Sequence, residues 1–428
     1  MINIIKNNKL YSNSLIFLVG SIVGSFGSYI YNFLMARMLG PEGYGELQSI
    51  LAMIAILGIP LATLSTVVIK YVASLEVRGE FGKIFHLLRS LTLKLLIGGF
   101  LFFIIFLVLS NFVARFLHLT SVVPLIILSI GMVVAFMNSI NSGMIQGLQK
   151  FKELSIIGIA SVGIKVLFGY LLVKYSFHVS GAVGAVVLSG VAGYALAWLP
   201  LRFLFKYRKK ENIRDTQAIL SKKEMMKYSL PVLISFFFVT WMMNIDILLV
   251  KHFFEPGQAG QYAALAVLGH IIYFVIGPLV SVMFPMSVAA HSGNGNSGRI
   301  LKNSIILATV VGAIGVVMYF LIPEFIIKII MGGRFLDATP YLGWFGLSML
   351  AYSIIYLLSQ YFLSINKVKF VYLLGVGAVL QLVLILFFHS TVWQIVWVMN
   401  STMGVTLVLL LIYLYATRKN NISHSTGI

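Results

Sequence analysis

The sequence predicts an all-α membrane protein: twelve transmembrane helices in two six-helix lobes related by a parallel internal repeat. Three observations carry this. The 428-residue chain is 60% hydrophobic and 10% charged, with a mean hydropathy of +0.99, so it has too few polar residues to cover a soluble globule. Its apolar runs repeatedly reach about 20 residues, the length a helix needs to cross the hydrocarbon core, and they are continuous where barrel strands would alternate. Finally, its prolines recur at a nearly constant offset of half the chain.

Taken in order, the predicted spans are 13–37, 45–69, 90–112, 121–147, 154–174 and 180–204, then 228–250, 260–288, 300–322, 340–364, 369–389 and 392–416. The first is too long, and lacks a small-residue cleavage site, for a removable signal peptide, so it is read as a helix that stays. Six of the ten prolines pair across the halves: Pro41 with Pro256, Pro60 with Pro278, and Pro124 with Pro340, at offsets of 215, 218 and 216. The same register sets Arg37 against Lys251, Asn32 against Asp246, and Lys150 against Lys367. The expected lobes are therefore 1–205 and 228–428, joined by a basic cytoplasmic linker at 206–227. An even number of spans per half gives both halves the same orientation, an architecture of transporters that work by alternating access.

The net charge of +19 raises the question of nucleic acid, and the placement of the charges answers it. With the N-terminus inside, 24 Lys and Arg face the cytoplasm and six face out: Arg37, Arg115, Lys174, Lys251, Lys328 and Arg334. That asymmetry is the positive-inside rule, so the basic linker is topogenic and no nucleic-acid partner is expected. Attraction to anionic membrane lipid is compatible with the same charges. The absence of cysteine excludes disulfides and thiol chemistry.

The segment ARMLGPEGYGEL at 36–47 follows a Ser- and Gly-rich first helix and precedes a Gly-Ile-Pro kink and VVIKYVA at 67–73. It resembles the start of Wzx-type polysaccharide flippases of the multidrug/oligosaccharidyl-lipid/polysaccharide exporter superfamily. The resemblance implies two six-helix lobes around a central cavity and the movement of polyprenyl-diphosphate-linked oligosaccharide from the inner to the outer leaflet. It also implies a setting among the glycosyltransferases and glycan polymerase that make and extend such a substrate. Flippases for lipid-linked peptidoglycan precursors in this superfamily carry arginines deep in the first helix. Here no cation precedes Arg37 in that span, so their cluster is not transferred.

Lys165 lies mid-span in SIIGIASVGIKVLFGYLL, where a cation costs at least about 2.5–3.5 kcal/mol, and shares a helical face with Gly158, Ser161 and Gly169. It is the first candidate for an anionic headgroup; the alternative is a structural lysine on neighbouring carbonyls. Arg37 and Lys251 are candidates for the same headgroup at the external end of spans one and seven, or else anchors at that level. Asp246, with Asn32 as its repeat partner, is the candidate for coupling to Na⁺ or H⁺, and resembles the seventh-helix acid of ion-coupled superfamily members. No other cofactor or metal is expected, and Asp246 alternatively serves only as a partner for Lys251. Pro60 and Pro278 remove a helical hydrogen bond inside spans two and eight, as packing kinks or as gates. His270 is read as a core histidine, and Gly20, Gly24 and Ser28 as a packing stripe. GNGNSG at 293–298 matches a dinucleotide fingerprint without its strand, and no Walker sequence occurs.

Two alternatives stay open: a cation-coupled multidrug exporter, which needs more cavity carboxylates than Asp246, and a membrane-embedded glycan polymerase or glycosyltransferase. The latter is an enzyme with a formed external site, yet the longest external connection is the segment 323–339. The charge asymmetry places both termini in the cytoplasm. A cysteine introduced by His424→Cys should therefore react with a membrane-impermeant thiol reagent only after permeabilisation; labelling in intact cells would overturn the topology.

Overall fold

No water in the hydrocarbon is available to satisfy backbone N–H and C=O groups, so each apolar run must bond internally. The computed structural model describes residues 9–207, 222–292 and 296–425, and every regular element among them is helical. Most of the expected linker, at 208–221, and part of the GNGNSG turn, at 293–295, lie outside the described residues. The first half comprises α1 (Lys9–Leu57), α2 (Ile59–Val77), α3 (Phe81–Phe116), α4 (Val123–Gly147), α5 (Phe151–Leu172) and α6 (His178–Leu201). The second comprises α7 (Lys222–Phe253), α8 (Pro256–Ser292), α9 (Ser297–Leu321), the short α10 (Pro323–Ile330), α11 (Leu342–Ser364), α12 (Phe370–Phe387) and α13 (Val392–Ser425).

Ten described helical segments are long and apolar enough to cross a membrane, one of them, Phe151–Tyr207, containing both α5 and α6. α1 supplies the rest, because it is two helices. Gly40 breaks it at φ 70°, ψ −178°, a region open only to glycine, and Pro41 starts the next turn. The chain doubles back there: Gln48 donates to Asn32 at 2.9 Å, whereas residues 16 apart on one straight helix stand about 24 Å apart. The second predicted span then runs from Pro41 to Val77 with an interruption at Gly58, where Pro60 occupies the first turn of α2 and supplies no N–H. Its repeat partner Pro278 behaves differently. It sits inside α8, which continues unbroken from Pro256 to Ser292, held through the proline by buried Ile272, Ile276, Val280 and Met283 at helical spacing.

Packing divides the chain into two compact units, one of Met1–Ile50 with Leu57–Leu230 and the other of Leu51–Ile56 with Pro231–Ile428. In the first, α4 packs against α2, α3 and α6, and α5 against α6. In the second, α11 packs against α8, α9 and α13, and α12 against α13. Spans four and ten thus occupy the same place in each unit, and the proline repeat is realised as equivalent packing. Small residues allow the approach: a Cβ on Gly147 would lie 2.7 Å from Val72 Cβ and 3.0 Å from the Ile69 carbonyl oxygen. A core of Val72, Ile84, Leu88, Ile140, Met144 and Leu201 closes the end of the first unit that carries its basic turns. There Lys150 Nζ donates to the Pro200 carbonyl at 2.7 Å and lies 4.0 Å from the Phe203 ring centroid, satisfying an acceptor at the C-terminal end of α6.

Gly40→Ala places a Cβ in a backbone region that only glycine adopts, and should destabilise the protein by about 1–3 kcal/mol. Gly24→Ala adds a methyl group where no atom lies within 4 Å and should change little. Thermal unfolding of both variants in detergent micelles separates them; equal midpoints would show that the joint does not need glycine.

Candidate functional site

Each half carries a helix–turn–helix joint, and the two joints are closed by the same two kinds of bond. In the first, Asn32 and Gln48 are joined as described above, with Asn32 Nδ2 also donating to the Ser28 carbonyl at 3.2 Å. In the second, Tyr262 Oη donates to Asp246 Oδ2 at 2.6 Å, again across 16 residues, over the turn at Phe254 and Glu255. A second bond ties each joint to the loop before the fourth or tenth span. Glu46 accepts from the Thr120 N–H at 3.0 Å and the Thr120 hydroxyl at 3.1 Å. Gln261, 215 residues later, donates to the Arg334 carbonyl at 2.7 Å. Glu46 is buried at 3% exposure, and this pair of bonds is what makes a carboxylate tolerable there.

Around these joints the two halves differ in charge. Lys165, half-buried on α5, donates from Nζ to Ser28 Oγ at 3.0 Å and stands 5.1 Å from the Tyr31 ring centroid. α1 and α5 approach through glycine along this face. A Cβ on Gly20 would lie 2.4 Å from Ser155 Cβ, one on Gly27 would lie 2.5 Å from Val162 Cγ1, and one on Gly169 would lie 2.8 Å from Tyr31 Cε2. Gly24 and Gly158 have nothing within 4 Å. The stripe of Gly20, Gly24 and Ser28 on α1 thus packs at Gly20, is open at Gly24 and is bonded to Lys165 at Ser28. Tyr31 is itself fixed, buried and donating to the Ala182 carbonyl of α6 at 2.8 Å. Ser161, on the face shared with Lys165, turns to α6, where it would meet a Cβ on Gly193 at 2.8 Å.

Asp246 is fully buried, and its second oxygen, Oδ1, has no hydrogen-bond partner. A proton or a small cation is the kind of ligand such an oxygen accepts. Among the described residues no group of three or more His, Asp and Glu is arranged to hold a metal. The repeat-related cations do not share an environment: Arg37 is on the surface, whereas Lys251 is only 2% exposed. Offset alone paired them, and which face of the helix each side chain takes decided otherwise. His270 is buried at 8% exposure with Nε2 unpaired.

The sequence reading passed over Gln48, Tyr262, Glu46 and Gln261, although each is a polar residue in the first turns after a joint proline. It also passed over Gln381, which is fully buried on α12 and donates from Nε2 to the Met242 carbonyl at 3.0 Å. The signal was available in the isolation of a glutamine within VYLLGVGAVLQLVLILF.

The apolar helices make this a multi-pass membrane protein, and solved transporters of the MOP superfamily share its fold. An inward-facing multidrug resistance MATE family transporter of that superfamily superposes with a TM-score of 0.78 at 14% identity, over 97% of this chain and 100% of its own. A MOP superfamily transporter from Pyrococcus furiosus, described by the reverse polarity of its binding pocket, gives 0.68 at 14% identity over 95% and 96%. An uncharacterized membrane protein of Methanocaldococcus jannaschii is 21% identical over 326 residues, covering 74% of this chain and 75% of that protein. The polysaccharide biosynthesis protein family matches residues 10–291, and the chain belongs to it.

The joint bonds can be weighed by double-mutant cycles. Asp246→Ala with Tyr262→Phe, and Asn32→Ala with Gln48→Ala, should each show a coupling of about 0.5–1.5 kcal/mol in unfolding from micelles, the larger at Asp246. Couplings near zero at both joints would show that these contacts do not hold the turns.

Proposed function

We propose that the protein is a flippase that moves polyprenyl-diphosphate-linked oligosaccharide across the cytoplasmic membrane by alternating access, for polysaccharide or cell-envelope glycan synthesis. Membership of the polysaccharide biosynthesis protein family supports a glycan substrate. The single observation that carries the headgroup assignment is Lys165, a mid-span cation held by a serine hydroxyl and a tyrosine ring and by no carboxylate. Neither span 13–37 nor span 154–174 contains an Asp or Glu, so the charge is left to meet an anion from elsewhere. A diphosphate supplies one, and its attraction to an ammonium strengthens where water is partly excluded. Ser28 and Tyr31 then act as positioning residues that hold the ammonium while the site is empty.

Of the two external cations, Arg37 keeps the role of receiving the diphosphate on the outer side, because it is on the surface and Lys251 is not. Pro60, at the interruption of the second span, is the better placed of the two prolines for a bend that changes during transport. Coupling to H⁺ or Na⁺ is assigned to Asp246, whose Oδ1 is the free acceptor, with Asn32 as its uncharged counterpart. The termini lie in the cytoplasm, and the partners are the lipid-linked glycan, membrane lipids, and the glycosyltransferases and polymerase on either side of the transfer. Cation-coupled multidrug export is the second reading. The MATE-like fold favours it, but Asp246 gives a cationic drug one buried carboxylate, already bonded to Tyr262.

Lys165→Met should abolish surface glycan and Lys165→Arg should retain part of it, at unchanged membrane abundance. Asp246→Asn should lower transport while leaving binding of the lipid-linked substrate intact. Equal surface glycan in wild type, Lys165→Met and Lys165→Arg would remove Lys165 from the site.

A further inference from the structure

A cleft of about 450 Å³ opens on the first unit, apart from the α1–α5 contact that holds Lys165. Phe85, Arg89, Leu93 and Leu96 line it from α3, and Trp198 and Phe205 line it from the end of α6 and the 3₁₀ turn Arg202–Tyr207 that follows. Its size falls within the range of ligand clefts, roughly 300–1,000 Å³. We propose that it binds an anionic glycerophospholipid, with the phosphate on Arg89 and an acyl chain along Leu93, Leu96 and Trp198.

The order of residues along α3 supports this occupant. Arg89 stands one turn before Leu93, at the point where the apolar run of the third span begins at residue 90. A guanidinium at that level meets the headgroup, and the side chains of the following turns meet the hydrocarbon. Leu93 and Leu96 are 62% and 40% exposed, so the trough is open to lipid along its length. Arg89 is also exposed. The aromatic wall is fixed from behind: Phe205 lies 5.4 Å from Phe85 and 5.9 Å from Trp198 between ring centroids. Trp at a bilayer interface presents an apolar face with a polar edge, which suits the glycerol level of a lipid.

Charge gives the sign of the ligand. α3, residues 81–116, contains no Asp or Glu, and neither does the turn 202–207, which adds exposed Arg202 and Lys206. One guanidinium at the mouth matches one phosphodiester, which it can hold through two parallel N–H donors. The charge pattern selects an anionic over a zwitterionic lipid, whose choline would meet the same cations unfavourably.

The test uses the purified full-length protein in detergent, titrated with phosphatidylglycerol or with phosphatidylcholine of the same chains. Phosphatidylglycerol should raise the thermal midpoint saturably, and phosphatidylcholine should not. Arg89→Gln should weaken half-saturation roughly fivefold or more. Leu93→Trp, which fills the trough and keeps the charge, should do the same, and Lys328→Gln in the other unit should leave the response unchanged. Native mass spectrometry of retained lipid gives a readout independent of the midpoint. Equal phosphatidylglycerol responses in wild type and Arg89→Gln, or equal responses to the two lipids, would overturn the proposal. Displacement of phosphatidylglycerol by lower concentrations of a polyprenyl diphosphate would also overturn it, by assigning the cleft to the substrate lipid.

Discussion

A polar bond across a reversed helix pair is the contact on which each half of this protein depends. In hydrocarbon a chain can turn only if the turn satisfies its own polar groups. The two helices beside each turn are joined by a side-chain bond, Asn32 with Gln48 in one half and Asp246 with Tyr262 in the other, each spanning 16 residues. Gly40 and Pro41 set the first turn, and Pro256 starts the helix after the second. Glu46 and Gln261 then lash the joints to the loops that lead into α4 and α11. Each of those two helices packs against three other spans of its unit, so the joint bears on the position of each bundle.

The same scaffold is filled with different chemistry in its two copies. The first half puts amides at its joint and a cation on α5, while the second puts a carboxylate at its joint and a neutral glutamine within α12. The repeat supplies equivalent positions, and the two halves differ at a few of them, the first carrying an intramembrane lysine and the second a buried carboxylate with an unbonded oxygen. Several buried polar groups have a bond that makes them tolerable: Glu46 to Thr120, Tyr31 to Ala182, Tyr352 to Val239. Asp246 Oδ1 and His270 Nε2 are among those that do not, and unmet acceptors in a dry interior are where protons and cations have a reason to bind.

Much of the fold was legible because the solvent dictates it. Twenty apolar residues with no water nearby have one solution, and a half-chain offset among prolines has few causes besides duplication. Lys165 was legible for the same reason, since a mid-span cation needs an explanation. Its partners were less so. Ser28 belonged to a stripe read as packing, and the structure shows that stripe packing at Gly20, open at Gly24 and holding the lysine at Ser28. Tyr262 and Gln48 went unnoticed because residues 16 apart are neighbours only if the chain turns back between them.

By itself the sequence determined the all-helical class, the repeat, and the few ionisable groups inside the apolar runs. Each of these follows from transfer between water and hydrocarbon, which depends on composition along a line. Only the tertiary structure decided that Pro60 sits at an interruption while Pro278 lies in an unbroken helix, or that Arg37 is at the surface while Lys251 is enclosed. It also decided that Arg89 heads an apolar trough. Those outcomes depend on which face of a helix meets which neighbour, and an offset of half a chain does not specify a rotation about a helix axis.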